Sequence, residues 1–179
     1  MTRSRQREGV RDSPSRRETF RAIYEAHHAA VCAYFARRAP RDDVEDLAAE
    51  TFVVAWRNLP RTVADPLPWL YAVARNVLAN HRRRAARRGE LAPDPATGDP
   101  AERFNGDRGL ARAFARLSEN DREAIRLIAW EGLSNADAAR AAGCSGPAFA
   151  VRLSRARARL AGALDETPPV ATFIVAERI

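Results

Sequence analysis

GLSNADAARAAGCSGPAFAVRLSRARARL, Gly132 to Leu160, is the stretch whose reading decides the fold. Gly132 ends one helix, and Ser134 carries a side-chain oxygen that accepts from an orphan N–H, so it caps the next helix, Asn135 to Ala142. Gly143 suits a left-handed turn, where a Cβ is penalised. A final helix starts between Ser145 and Pro147, because proline has no N–H to lose in a first turn. Two helices joined by a short glycine turn, the second studded with arginine, make a helix-turn-helix. Its packing is self-consistent: Ala138, Ala139 and Ala142 are small and Phe149 on the facing helix is large, which conserves volume across the contact. Leu133, Cys144 and Leu153 complete this small core, with Cys144 as an apolar filler. Arg152, Arg155, Arg157 and Arg159 lie outward with no acid among them.

Upstream, Leu110, Phe114 and Leu117 make one short helical face, and Ser118 with Asp121 three residues on caps a helix carrying Ile125, Leu127, Ile128 and Trp130. Residues 110–165 therefore read as one small domain, followed by a tail, 166–179, to which the sequence assigns no role. Residues 89–109 hold glycine, proline and acid without helical or strand period and read as a linker. Ahead of it, 18–88 reads as a second helical domain. Phe20, Ile23, Tyr24, His27, Val31 and Tyr34 recur at three- and four-residue steps, giving a helix that stops before Pro40. The next helix, near Asp42 to Leu59, turns Val44, Leu47, Ala48, Phe52 and Ala55 inward, and its first turns are acidic, as the positive end of a helix dipole favours. After a loop from Pro60 to Pro68, a third helix shows Trp69, Leu70, Val73, Ala74, Val77 and Leu78 on one face and turns basic toward Arg88. Residues 1–17 are arginine-rich with little to bury and read as a disordered basic tail. The expected fold is all-α: two small helical domains joined by a flexible linker, the second a helix-turn-helix.

The charge balance is basic, Lys+Arg 30 against Asp+Glu 23, net +7, which favours a polyanionic partner such as nucleic acid. Every basic side chain is arginine, and with the abundant alanine this reflects GC-rich codons more than selection for DNA contact. Cys32 and Cys144 lie far apart, so no zinc ribbon or disulfide framework is suggested. His27 and His28 are neighbours on a helix, point in different directions and have no third ligand after them; no metal site and no cofactor are expected. Without convergent nucleophile or ligand spacing, neither an enzyme nor a small-molecule substrate is expected. No apolar run nears the roughly 20 residues of a membrane span, and the N-terminus lacks the apolar stretch of a secretory signal. The expected location is the cytoplasm.

Both halves together resemble the extracytoplasmic-function (ECF) sigma factors of the sigma-70 family. The front half carries the resemblance to region 2 in DVEDLAAETFVVAW, Asp43 to Trp56, and PWLYAVARNVLANHRRR, Pro68 to Arg84; the back half carries that to region 4 in LSENDREAIRLIAWEGLSNADAARAAG and LSRARARL. The resemblance implies a transcription initiation factor whose acidic helix docks on the beta-prime clamp helices of core RNA polymerase, here through Asp43, Asp46, Leu47, Glu50 and Phe52. It implies contact with the −10 element through Arg61 and Thr62 of the loop and Arg75, Asn76, Asn80, His81, Arg83 and Arg84 of the third helix. It further implies a region 4 that meets the beta flap and takes the −35 element through Ser145, Arg152, Arg155 and Arg157, and an anti-sigma factor as regulator. The chain departs from the family pattern at Ala49, where glutamine is usual, and at Ala148 to Val151, where a Thr-Val-Lys-Ser stretch is common. The residues alone also fit an ordinary helix-turn-helix repressor or activator that reads palindromic half-sites without polymerase.

Overall fold

The computed structural model describes residues 14–60, 65–89 and 107–166, and among these it is entirely helical. In the front half, α1 (Pro14–Ala36) is followed by a 3-10 turn (Arg41–Asp43), α2 (Val44–Asn58) and α3 (Pro66–Arg87). In the back half come α4 (Arg108–Ala115), α5 (Glu119–Ala129), α6 (Asn135–Ala142) and α7 (Gly146–Asp165). From α3 onward, each helix starts where the sequence supplies an acceptor. Asp65, Asp107, Ser118, Ser134 and Ser145 each accept a hydrogen bond from a first-turn N–H of α3, α4, α5, α6 and α7 respectively.

The helix-turn-helix forms as its residues dictate. Gly143 has φ 66°, and two bonds close the end of α6, from Gly143 N–H to the Arg140 carbonyl and from Cys144 N–H to the Ala139 carbonyl. This pairing is a Schellman cap, which needs a residue in the left-handed region at that position. Phe149 is fully buried among Ala138, Ala139, Ala142 and Leu153. Within the departure noted at Ala148 to Val151, Phe149 is a core residue, whereas Ala148, Ala150 and Val151 are exposed.

One boundary differs from the expectation. Helix α1 begins at Pro14, so residues 14–17 belong to a helix and not to a tail. Arg16 holds that turn in place by donating to the Trp56 and Leu59 carbonyls while its guanidinium lies 4.9 Å from the Trp56 ring centre. The two helical domains expected from the sequence are both present, and they pack on each other. Helix α6 packs on α3, and most buried apolar side chains of both halves, from Ile23 to Leu153, join in one cluster, those of α4 staying outside it. Trp69 packs against that cluster, as its place in the apolar stripe predicts.

Candidate nucleic-acid interface

The acidic α2 and the basic end of α3 lie side by side. Of the five acidic-helix residues singled out above, Leu47 and Phe52 are buried core. These two pack inward and hold the helix, Phe52 also lining the groove beside it, while Asp43, Asp46 and Glu50 present charge outward. Asp43 Oδ2 lies 3.3 Å from His81 Nε2, and Glu50 Oε1 lies 3.6 Å from an Arg84 nitrogen. The sequence placed these acids and bases in different functional groups; the structure makes them neighbours. Asp46 has no ion-pair partner among the described residues and projects into solvent beside a groove lined by Phe20, Tyr24, Phe52 and Trp56.

Asn76, Asn80, Arg83 and Arg84 form an exposed strip on α3, with Arg83 donating to Asn80 Oδ1 at 2.5 Å. Four-residue spacing puts both asparagines on one face. Arg75 is differently placed. It is half-buried and donates to the Ala142 carbonyl at 2.7 Å, at the end of α6. Arg61 and Thr62 lie outside the described residues. On α7, Ser145 serves as cap, Arg155 and Arg157 are exposed and Arg152 is half-buried, none of these three arginines with an ion-pair partner among the described residues. Arg159 instead meets Asp121 Oδ2 at 2.6 Å.

The sequence did not reveal a buried ionic junction between the halves. The Arg38 guanidinium, with no exposed side-chain surface, donates to Glu123 at 2.8 Å and to Glu131 at 2.7 Å, and also to the Tyr34 carbonyl. Arg37 pairs with Glu131 as well, Tyr34 Oη donates to Glu123 and Tyr71 Oη to Glu131. Burial opposes the charge on Arg38, but Glu123 and Glu131 outweigh it, so the guanidinium is held above its ordinary value. Burial, then Glu131, pushes the Tyr71 hydroxyl up to about 12. A second junction centres on Glu119, which meets Arg82, Arg122 and Arg126. Burial raises its pKa, yet the three guanidiniums win and hold it below the carboxylate norm. Arg126, buried, is pulled down to about 10 by desolvation in spite of Glu119.

One further cluster lies apart from the DNA candidates. His28, Cys32 and Glu45 bring their donor atoms within 4.8 Å of one another. His28 and Cys32 belong to α1 and Glu45 to α2, while His27 is not part of the cluster.

Against known proteins, the sigma-70 region 2 model matches residues 23–88 and the sigma-70 region 4 model matches residues 107–160. The chain is 38% identical over 137 residues to the ECF RNA polymerase sigma factor SigC of Mycobacterium tuberculosis, covering 69% of this chain and 70% of SigC. It is 32% identical over 142 residues to the RNA polymerase sigma factor NccH of Alcaligenes xylosoxydans xylosoxydans, covering 72% and 76%. Among solved structures, the sigma factor RpoE in complex with the anti-sigma factor NepR from Bartonella quintana superimposes with a TM-score of 0.60 at 27% identity, over 83% of this chain and 98% of that one.

Proposed function

Since the chain belongs to the ECF RNA polymerase sigma factors, we propose that its two halves divide the work of promoter recognition between a polymerase-gripping acidic face and two arginine-bearing DNA faces. It is an alternative sigma factor, which joins core RNA polymerase and directs it to −35/−10 promoters. Bond-making stays with the polymerase, and this chain supplies recognition and strand opening. The observation that carries the division is the sorting of charge on one scaffold: Asp43, Asp46 and Glu50 lie along α2 and its N-cap, while Asn76, Asn80, Arg83 and Arg84 lie along α3.

The acidic face suits the beta-prime clamp helices if these are basic, since opposite potentials steer association. The α3 strip, with Arg75 and His81, suits an unpaired −10 strand, where phosphate and base-edge contacts offset the cost of unstacking. In the same scheme Arg61 and Thr62 of the preceding loop take the flipped base, and Ser145, Arg152, Arg155 and Arg157 face the −35 duplex, with region 4 also against the beta flap. Arginine there reaches phosphates first and base edges in the major groove second. The RpoE relative is seen with an anti-sigma factor, and we infer a partner of that class here.

On DNA the halves must part. The centres of the two elements lie roughly 80 Å apart along B-DNA, whereas α3 and α6 are in contact. Residues 90–106, fully extended, reach about 60 Å, and the widths of the halves supply the remainder. The test is permanganate reactivity of thymines at −10 in a promoter fragment, with core polymerase and the chain. Reactivity that needs both proteins is the expected result. Tight binding of the chain alone to a palindromic duplex, with no polymerase-dependent melting, would refute the proposal in favour of a repressor.

A further inference from the structure

Helices α1 and α2 cross where three different metal-binding chemistries meet. His28 and Cys32 stand one turn apart on α1, a spacing that places two ligands on one helical face, as in the paired histidines of H-E-x-x-H sites. Glu45 comes from the first turn of α2, and all three donor atoms fall within 4.8 Å of one another. Sulfur to imidazole nitrogen is 3.7 Å for Nε2 and 3.8 Å for Nδ1. A tetrahedral zinc ion, with bonds of about 2.3 Å to sulfur and 2.0–2.1 Å to nitrogen, spaces those atoms about 3.6 Å apart. The ring is held in place: it lies near-parallel to Phe52 at 5.8 Å between centres and against Tyr24 at 4.9 Å. The exposed Glu45 retains the rotamer freedom to close the remaining gap.

We propose that His28, Cys32 and Glu45 form a three-ligand site for a divalent transition-metal ion of the zinc class, its fourth position open to solvent. Imidazole and thiolate select such ions over magnesium or calcium, which prefer all-oxygen shells. Binding breaks the Cys32 S–H bond, the sulfur keeps the electron pair for the metal, and the proton goes to solvent. Burial and then the Glu45 carboxylate push the Cys32 thiol up. Because Glu45 neighbours Asp46 on α2, the bound ion ties α1 to α2 and reduces negative charge beside the acidic face.

The experiment titrates Co(II), then Zn(II), into the tag-free, reduced full-length chain and reads the near-ultraviolet thiolate-to-cobalt absorption and the protons released. The expected result is one equivalent bound, with zinc displacing cobalt, in both wild type and Cys144→Ser. Cys32→Ser should abolish the thiolate band, and His28→Gln and Glu45→Gln should each weaken binding by at least about tenfold, since removal even of a supporting partner costs that much at such sites. Three outcomes would overturn the proposal: no band in wild type, a band that follows Cys144 instead, or unchanged affinity in His28→Gln. In each case the Cys32–His28 contact is a thiol–imidazole hydrogen bond and nothing more.

Discussion

Gly143 combines two constraints. Its φ of 66° is costly for any side chain, and a Cβ there would stand 2.5 Å from an Arg75 nitrogen. Arg75 can swing aside, so the backbone term dominates, and Gly143→Ala should cost about 1–2 kcal/mol, read as a lower urea midpoint at unchanged slope. Glu131 carries a larger stake: its carboxylate is 1% exposed and answers both Arg37 and Arg38. Removing one partner of a buried pair strands the other charge, so Glu131→Ala should destabilise by about 3 kcal/mol, with Glu123 still partnering Arg38. The turn at Gly143 was legible in the sequence because its cause is local. Arg38 was not, because a double arginine before Pro40 reads as an ordinary basic helix end and its partners lie far along the chain.

At the scale of elements, legibility follows the reach of the interactions that set each helix. The bounds of α6 and its caps could be read directly, since Ser134, Gly143 and Ser145 act within a few residues. The start of α1 could not, because Arg16 is fixed by carbonyls at the far end of α2. The candidate DNA residues Asn76, Asn80, Arg83 and Arg84 are indeed on one exposed strip, whereas helical period alone could not tell that Arg75 would be taken up by α6. For α7 two substitutions separate packing from recognition. Phe149→Ala should destabilise the helix-turn-helix by about 3–5 kcal/mol, as truncation of a fully buried ring does. Arg155→Ala with Arg157→Ala should leave thermal stability nearly unchanged. On promoter DNA this pair should reduce the salt slope of holoenzyme binding by roughly 0.9 for each phosphate that is no longer neutralised.

The whole molecule holds itself shut through ionic junctions that titrate. Glu119 has its folded-state pKa lowered by Arg126, Arg82 and Arg122, against the opposing pull of burial. A depressed carboxyl contributes stability above its unfolded value, and that stability disappears as pH falls through the folded one. Melting temperature should therefore drop as pH falls below the ordinary glutamate range, and Glu119→Gln should flatten that drop. The composition signalled a polyanionic partner, but not that an acid-bearing helix and an arginine-bearing helix would stand in contact. The proposed division of labour between polymerase and DNA rests on that juxtaposition, and the association of the purified chain with core RNA polymerase tests it most directly. Wild type should bind, and Asp46→Arg with Glu50→Arg should abolish binding while leaving the helical content intact. Undiminished binding by that double variant, or no binding by wild type, would contradict it.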